Sequence, residues 1–266
     1  MTEQTPNANQ AGEEPPGRGL LDGRRVVITA AAGSGIGGAL ARRCMIEGAV
    51  LTISDAHERR LGETADALAS EFGTRPSAIP CDVTDEASVQ GLVSGAIEAM
   101  GGFDTWMNNA GLGGNALLTE MTDEQWSKVL DVTLTGTFRC LRAALPHLYE
   151  QQRGAVVNNA SVLAWRAQER QGHYAAAKAG VMALTRTAAM EAAGHGVRVN
   201  AVSPSLAMHA NLAKVTPPGL LAELEAGEAF GRAAEPWEVA NVMVFLASDL
   251  SGYMTGEVLA VSSQHP

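Results

Sequence analysis

Short apolar runs alternate with longer amphipathic stretches along this chain from residue 24 onward. The runs VVIT, VLTIS, FDTWMN, AVVNNAS and VRVNAVS have strand length and are rich in β-branched residues, and stretches with helical periodicity separate them. Such alternation with short connections predicts right-handed crossovers and an α/β fold built on a doubly wound parallel sheet. Ligands of that architecture bind at the carboxyl ends of the strands.

The same pattern predicts the bounds of the elements between these runs. We expect helices from about Ile36, through Leu61 and Leu68, over Ala87–Met100, over Asp123–Gln151, around Tyr174 and over Glu238–Ala247, with further strands at Ala78–Cys81 and Val258–Val261. Residues 1–19, rich in Pro, Gly, Asn, Gln and Glu, predict a flexible N-terminal tail. Residues 20–266 then form one domain, in which the stretch 205–230 interrupts the alternation and predicts a flap over the crevice.

Composition narrows the classes of partner. With 266 residues, 46% of them hydrophobic and only 5% aromatic, the chain predicts one large domain with helices packed closely on a sheet. A formal charge of −10 argues against nucleic acid and anionic membranes and favours a small-molecule ligand. Cys44, Cys81 and Cys140 lack the spacing of a disulfide framework or a zinc site, so we expect no metal and a reducing, cytoplasmic compartment.

A glycine cluster follows the first strand in the stretch VVITAAAGSGIGGAL. Gly33, Gly35 and Gly38 fit the spacing G-x-G-x-x-G, with Ser34 and Ile36 between them where the next helix begins. Backbone N–H groups at a helix N-terminus favour an anion, so the loop predicts binding of a dinucleotide pyrophosphate in a Rossmann-type site. An ordinary tight turn would also use glycine, but the position directly after a strand favours the binding loop.

Asp55 closes the second strand. A carboxylate there can accept hydrogen bonds from an adenosine ribose and would repel a 2′-phosphate, so it favours NAD over NADP. The alternative is that Asp55 caps the next helix, where His57 is expected to be exposed. Arg59 and Arg60 lie close to it in the sequence and weaken the preference for NAD.

Two further strand ends carry candidate cofactor contacts. Asp82, followed by Val83, could accept from an adenine amino group or could cap the helix that begins near Asp85. The fourth strand ends in small residues that let the backbone approach a ligand, and in amides that can tie neighbouring strands together. This stretch consists of Asn108, Asn109, Ala110 and Gly111.

The strongest chemical signal is a tyrosine followed at i+4 by a lysine. Tyr174 and Lys178 share one helix face at this spacing, so the ammonium can lie beside the phenol and favour its ionised form. Free tyrosine has a pKa of about 10, too high for efficient proton exchange near neutrality. Ser161, which precedes them, adds a hydroxyl that could hold a substrate carbonyl. The alternative is that Tyr174 and Lys178 are a surface pair with no function. The motifs at the strand ends favour the interpretation as a reactive site.

Together these residues resemble the short-chain dehydrogenase/reductase family, from about Leu20 to the end of the chain. The matches are the glycine loop ending Gly35-Ile36-Gly37, Asp55, Asp82, the NNAG stretch at 108–111, Ser161, the Tyr174–Lys178 pair and the GRAAEPWEVA segment from Gly231. The resemblance implies an enzyme that interconverts a secondary alcohol and a ketone with a nicotinamide cofactor. It also implies a homo-oligomer, a dimer or tetramer, with helices 123–151 and 174–193 at the interface.

The resemblance assigns roles to the catalytic residues. It implies that Tyr174 is the general acid/base, that Lys178 lowers the pKa of Tyr174 and holds the nicotinamide ribose, and that Ser161 polarises the reacting carbonyl. The family's catalytic asparagine falls at Thr133, whose hydroxyl would have to support a proton relay with a different geometry. Pro204, after the sixth strand, is expected to contact the cofactor.

The chain departs from the family pattern at three more places. Thr29 is followed by three alanines where the pattern has Thr-Gly, so the turn is expected to be one residue longer. The usual Pro-Gly after the sixth strand is Pro204-Ser205, which affects how a nicotinamide carboxamide is held. The chain ends VSSQHP in place of Asp-Gly-Gly, and subunit contacts there are expected to differ.

More narrowly, several stretches resemble actinobacterial reductases of steroid C/D-ring breakdown that act on a methyl-indanone CoA thioester. These stretches are ITAAAGSGIGG, HERRLGETA, NNASVLAWRAQ, HYAAAKAGVMALTR and EAFGRAAEPWEVA. This likeness implies a bulky, CoA-linked alicyclic substrate. The alternatives are a 3-oxoacyl-thioester reductase of fatty-acid type and a nucleotide-binding scaffold without chemistry.

The segments expected around the substrate are 112–117, 165–173 and the flap. Their apolar residues are either a pocket wall for a ring system or ordinary core, and their basic residues either meet CoA phosphates or are simply solvated. His173 either touches substrate or merely lies at a helix start. The apolar candidates are Leu163, Trp165, Leu206 and Met208, and the basic ones are Arg166, Arg170 and Lys214.

Overall fold

Seven parallel strands form one sheet in the order β3-β2-β1-β4-β5-β6-β7 in the computed structural model, which describes residues 11–208 and 218–263. The predicted doubly wound sheet is therefore confirmed. The strands are β1 (Arg25–Ile28), β2 (Val50–Asp55), β3 (Ser77–Pro80), β4 (Thr105–Asn108), β5 (Gly154–Asn159), β6 (Val197–Pro204) and β7 (Val258–Val261).

Eight α-helices among the described residues connect and flank these strands. They are α1 (Ile36–Ile46), α2 (Glu58–Phe72), α3 (Glu86–Met100), α4 (Asp123–Leu130), α5 (Gly136–Gln151), α6 (Gly172–Ala192), α7 (Pro218–Ala226) and α8 (Pro236–Ala247). None of them is long and apolar enough to cross a lipid bilayer.

The helices lie on both faces of the sheet and bury a core on each. Along β1 the side chains alternate, since Val26 and Ile28 join the core under α1, α2 and α8, whereas Val27 joins the core under α3, α5 and α6. A strand that is buried on both faces consists of a continuous apolar run, and this explains why the strands could be recognised in the sequence.

The strand order reverses between β1 and β4. Val26 of β1 pairs with Leu51 of β2 on one side and with Thr105 of β4 on the other. The connections that leave β1 and β4 therefore run to opposite faces of the sheet, and a crevice opens between them at the carboxyl edge.

Two predicted elements differ from the structure. The strand expected to reach Cys81 ends at Pro80. The helix expected over 123–151 is divided by a π-helical turn, Asp131–Thr135, into α4 and α5. Hydrophobic periodicity does not report such a turn, because one wide turn shifts the apolar face only slightly.

The N-terminal segment differs from the predicted flexible tail from Glu14 onward. The backbone N–H groups of Arg18 and Leu20 each donate to the Glu47 carboxylate at 2.9 Å. Arg43 pairs with the same carboxylate and donates to the carbonyls of Pro15 and Pro16. A fully buried carboxylate requires hydrogen-bond partners, and Glu47 finds them in this segment.

Glu47→Gln should destabilise the fold by about 3 kcal/mol at pH 7, because it removes the nearer of the two carboxylates that pair with the buried guanidinium of Arg43 and leaves only Glu14, at 3.8 Å. Burial alone would raise the pKa of Glu47, but the amides of Leu20 and Arg18 and the Arg43 side chain lower it below 4.5. A carboxyl whose pKa is lower in the folded state adds stability above its unfolded pKa and loses that contribution as the pH falls through the folded value. The difference between the two proteins should therefore shrink below about pH 4.

Urea unfolding at pH 7 and at pH 3.5 measures both effects. Glu63→Gln is the matched control, since Glu63 pairs with Arg59 at the same i,i+4 spacing but on the surface, and should cost less than about 0.5 kcal/mol. Equal losses in the two variants would contradict a structural role for the buried pair.

Candidate active site

The loops that follow β1 and β4 are joined to each other in the crevice. The Thr29 hydroxyl accepts hydrogen bonds from the backbone N–H groups of Asn109 at 3.0 Å and Ala110 at 3.2 Å. The Asn109 side chain donates to the carbonyl of Ala30 at 2.9 Å. The two segments predicted to contact a cofactor therefore face the same space.

Close backbone packing shapes the glycine loop. A Cβ at Gly37 would lie 2.0 Å from the Ala30 carbonyl oxygen, and one at Gly38 would lie 1.8 Å from that of Gly33. Ala30 has a φ of +51°, the left-handed conformation that a glycine would supply in a Thr-Gly turn. Gly35 caps α1 without a side chain, so the first amides of α1 are left for an anion.

Ser34 and Ile36 lie where the glycine pattern predicts them. Ile36 is the first residue of α1, and Ser34 is exposed at the rim of the loop. Ser34 and Gly33 line a cavity of about 320 Å³ that also touches Arg42 and Trp237, between the starts of α1 and α8.

Asp55 lies at the end of β2 against the glycine loop. Its carboxylate accepts from the backbone N–H of Ala32 at 3.2 Å and of His57 at 2.8 Å, one bond to each oxygen. The cap of α2 is His57, which is exposed as predicted and accepts at Nδ1 from Arg60. Each carboxylate oxygen can accept a second bond, so Asp55 remains able to bind a ribose hydroxyl.

Asp82 and Val83 follow β3 as predicted. Asp82 is exposed, and its carboxylate accepts from the backbone N–H and the hydroxyl of Thr84 at 2.9 and 2.7 Å. The cap of α3 is Asp85 instead, which accepts from Ala87. Asp82 therefore does not cap α3, which was the alternative to a contact with the adenine.

The predicted amide ties between strands are confirmed. Asn108 donates to Asn158 on β5 at 2.8 Å, and Asn158 donates to the hydroxyl of Thr185 on α6 at 2.9 Å. One residue further on, Asn159 donates to Asn109 at 2.9 Å. These bonds link β4, β5 and α6 directly beneath the predicted catalytic residues.

Ser161, Tyr174 and Lys178 come together where β5 ends. Ser161 is buried two residues beyond β5, its hydroxyl accepts from the Leu163 N–H at 3.3 Å, and it lies close enough to the Tyr174 phenol to lower the pKa of that phenol by hydrogen bonding. Lys178 is 3% exposed, donates to the Asn159 carbonyl at 2.5 Å and has its Nζ 5.7 Å from the centroid of the Tyr174 ring. Two turns of α6 and the end of β5 thus place a phenol, a hydroxyl and an ammonium in one site.

The protonation of this site differs from the sequence-based expectation. Burial raises the pKa of Tyr174, and the hydrogen bond with Ser161 only partly offsets it. Burial also lowers the pKa of Lys178 from 10.5 to about 8. The expected lowering of the tyrosine pKa by the lysine is therefore not found, because burial of the phenol has the larger effect. At neutral pH the phenol is a proton donor, and most of the lysine remains an ammonium.

Thr133 lies in the π-helical turn and is fully buried. Its hydroxyl accepts from the Leu112 N–H at 2.9 Å and donates to the Leu112 carbonyl at 3.2 Å. Gly111 lies between the two side chains, since a Cβ there would be 3.2 Å from Nζ of Lys178 and 3.8 Å from Oγ1 of Thr133. Thr133 is thus near Lys178, but its hydroxyl already donates to the Leu112 carbonyl. The proton relay through Thr133 stays a prediction.

The loop 112–117 is fastened to the start of α6. Gln171 donates to the Gly114 carbonyl at 2.8 Å. His173 is buried, accepts from the Tyr174 N–H at 2.9 Å and packs so tightly that a Cβ on Gly114 would lie 2.2 Å from its Nε2. His173 therefore fixes the loop against the helix that carries Tyr174.

The other predicted substrate residues are spread around the crevice mouth. Trp165 is 54% exposed, and Arg170, with a φ of +67°, is exposed beside Glu169. Pro204 ends β6 and is buried, and Leu206 and Met208 follow it with part of their surface exposed. Lys214 lies outside the described residues.

Sequence reasoning missed two residues that organise the site. Thr29 receives two backbone amides, and the Asn159 carbonyl receives the ammonium of Lys178. The repeated Asn-Asn pair at the ends of β4 and β5 was a usable signal, because adjacent strands with the same polar pair in register form a ladder.

The amino-acid sequence is similar to those of known oxidoreductases over nearly its whole length. The family model described as enoyl-(acyl carrier protein) reductase covers residues 30–263. The chain is 58% identical over 261 residues to the (5R,7aS)-5-hydroxy-7a-methyl-1-oxo-2,3,5,6,7,7a-hexahydro-1H-indene-carboxyl-CoA reductase of Mycobacterium tuberculosis, covering 98% of this chain and 100% of that protein. It is 40% identical over 241 residues to the cis-4-hydroxycyclohexanecarboxylate dehydrogenase of Sinomonas cyclohexanicum, covering 89% and 94%.

A solved structure agrees with the fold. The crystal structure of a short chain dehydrogenase from Mycobacterium smegmatis superposes with a TM-score of 0.87 at 53% identity, covering 98% of this chain and 100% of that one. On these matches over nearly its whole length, the chain belongs to the short-chain dehydrogenase/reductase family of oxidoreductases, whose members use NAD(H) or NADP(H).

Proposed function

We propose that this oxidoreductase uses NAD(H) to interconvert a secondary alcohol and a ketone on a bulky alicyclic ring that is carried as a CoA thioester. The observation that carries the proposal is the position of the half-buried Tyr174 phenol, which lies beside Ser161 and one helical turn before Lys178, next to the crevice between β1 and β4. The chemistry of the substrate is supported by the names of the relatives, one of which acts on a hydroxy-indene carboxyl-CoA.

The crevice has the features that a dinucleotide requires. No side chain caps the N-terminus of α1, so its first backbone N–H groups can bind a pyrophosphate. The chain is tightly packed at Gly37, where there is no room for a Cβ. We assign the adenosine end to Asp55, Asp82 and Val83 and the nicotinamide end to Lys178 and Pro204. A nicotinamide bound there supplies the hydride acceptor or donor. The residues between these ends are Gly33, Ser34, Gly35, Ile36, Asn109, Ala110 and Gly111.

In our proposal the protein's part in the chemistry is to orient the carbonyl and to move one proton. Ser161 donates a hydrogen bond to the substrate oxygen, which lowers the cost of negative charge on it. Tyr174, protonated at neutral pH, gives its phenolic proton to that oxygen during reduction and takes one back during oxidation. The ammonium of Lys178, fixed on Asn159, stabilises the phenolate that this transfer leaves behind.

Asp55 supports NAD as the cofactor. Its carboxylate is held by the Ala32 and His57 amides at the place proposed for the adenosine ribose. A ribose 2′-phosphate would meet this negative charge directly. Arg60 lies 3.8 Å from Asp55 and is already paired with it, so it is a weaker attraction for a phosphate than a free arginine would be.

We also propose a cytoplasmic homo-oligomer. All three cysteines are buried free thiols, which suits a reducing compartment. Large apolar side chains are exposed on the three helices proposed as the interface, namely Trp126 on α4, Phe138 on α5 and Met190 on α6. Light scattering of the purified chain measures the number of subunits.

Tyr174→Phe should lower kcat by at least about a thousandfold, since it removes the only proposed proton donor to the substrate oxygen. The dissociation constant for NADH should change by less than about twofold, because the ring and Lys178 remain. Tyr149→Phe is the matched control. It removes the same hydroxyl from a tyrosine stacked on His195, away from the crevice, and should leave turnover unchanged.

Turnover is followed by NADH absorbance with three substrates. These are the hydroxy-indene carboxyl-CoA, its free acid and the linear acetoacetyl-CoA. The thioester of the ring should be preferred. A preference for acetoacetyl-CoA would favour the fatty-acid type of reductase, and full activity of Tyr174→Phe would overturn the mechanism.

Asp55→Asn should raise the KM for NAD⁺ by about tenfold and lower that for NADP⁺, because it removes the charge that a 2′-phosphate would meet. Asp66→Asn, which removes an exposed acid of α2 paired with Arg75, should change neither value. Initial rates with both cofactors measure the effect. A wild-type protein that prefers NADP⁺ would refute the assignment to NAD.

A further inference from the structure

The carboxylate of Glu228 joins three segments that are distant in the sequence. We propose that Glu228 is a positioning residue which fastens residues 205–208, directly after β6, to residues 228–234 beside the active site, and that the C-terminal segment shares in this through Ser263. The proposal rests on the proposed function, since it assigns residues 205–208 to the wall of the substrate site.

The hydrogen bonds of Glu228 define the junction. Glu228 is 3% exposed. The hydroxyls of Ser205 and Ser263 both donate to its Oε2, at 3.1 and 2.9 Å. The Leu206 N–H approaches Oε1 at 3.5 Å. One buried carboxylate thus binds the end of β6 and the C-terminal segment, and a buried carboxylate requires such donors to offset its lost hydration.

Backbone bonds close the same junction. The N–H of Ala229 donates to the Ser263 carbonyl at 3.1 Å, and the N–H of Ser205 donates to the Val261 carbonyl at 3.1 Å. On the other side, Ala234 donates to the Leu206 carbonyl at 2.8 Å. Residues 205–206 and 228–234 are therefore hydrogen-bonded to each other, and residues 261–263 are hydrogen-bonded to both.

The junction lies beside the catalytic residues. Val202 of β6 pairs with Asn159 of β5, and its carbonyl accepts from Ala160 at 2.8 Å. Ala160 directly precedes Ser161, and the Asn159 carbonyl holds Lys178. The chain that leaves β6 at Pro204 thus begins at the wall of the site, and a shift of this segment moves that wall.

The junction also accounts for two departures of this chain from its family's pattern. Ser205 and Ser263 both stand in stretches where the pattern has glycine, and a glycine has no side chain to donate. Both departures meet on one carboxylate in this structure. The two serines therefore belong to one hydrogen-bonded group with Glu228 and are not unrelated departures.

Glu228→Gln should raise the KM for the hydroxy-indene carboxyl-CoA by about tenfold while kcat and the dissociation constant for NADH change by less than about threefold. Amide hydrogen exchange over 205–208 and 229–234 should speed up by about tenfold, because the junction loosens. Glu257→Gln, which removes an exposed acid just before β7, is the matched control and should change none of these values.

A double-mutant cycle tests the shared carboxylate. Ser263→Ala should raise KM and exchange in the wild type but add nothing in the Glu228→Gln background. Equal effects of Ser263→Ala in both backgrounds, or unchanged KM and exchange in Glu228→Gln, would overturn the proposal. If Glu228→Gln fails to fold, a second double-mutant cycle uses Ser205→Ala, Ser263→Ala and the double variant. Amide hydrogen exchange is then the only measurement. A wild type inactive on every thioester would refute the proposed function, while the exchange data would still decide the role of Glu228.

Discussion

The bond between the Lys178 ammonium and the Asn159 carbonyl is the contact on which the site depends. It places a cation inside the protein, 5.7 Å from the centre of the Tyr174 ring, at the point where β5 ends. Burial lowers the pKa of the lysine and raises that of the tyrosine, so the lysine holds its proton less tightly, and the tyrosine more tightly, than in water. A cation held this way stabilises negative charge on the phenol only when that charge develops, which suits a proton donor better than a permanently ionised phenolate.

The surrounding fold keeps that contact rigid. Asn108, Asn158 and Thr185 form a chain of hydrogen bonds from β4 through β5 to α6, and the Thr29 hydroxyl joins the loops after β1 and β4. The crevice between those strands follows from the strand order of the sheet, but its shape depends on local close packing. The contact of Gly37 with the Ala30 carbonyl, where no Cβ fits, is one example.

Sequence patterns were sufficient for most of the elements with a simple hydrophobic period and for several motifs at strand ends. The strands, the glycine loop and the grouping of Ser161, Tyr174 and Lys178 all belong to this class. What was not predicted depends on contacts between distant residues. The π-helical turn, the capture of the N-terminal segment by Glu47 and the junction at Glu228 each need the folded chain before they exist. The pKa of Tyr174 is the clearest case, because the i,i+4 spacing gives the direction of a charge effect, whereas burial decides the net sign.

The chain contains only three lysines, at 128, 178 and 214, which makes the central contact directly measurable. In protein labelled with ¹⁵N at lysine Nζ, NMR follows each ammonium through a pH titration, and the signal absent from Lys178→Arg identifies Lys178. Burial of the ammonium predicts that this signal titrates at about pH 8. A midpoint at the ordinary value of 10.5 would show that the ammonium is in water, and would contradict the account of the site given above.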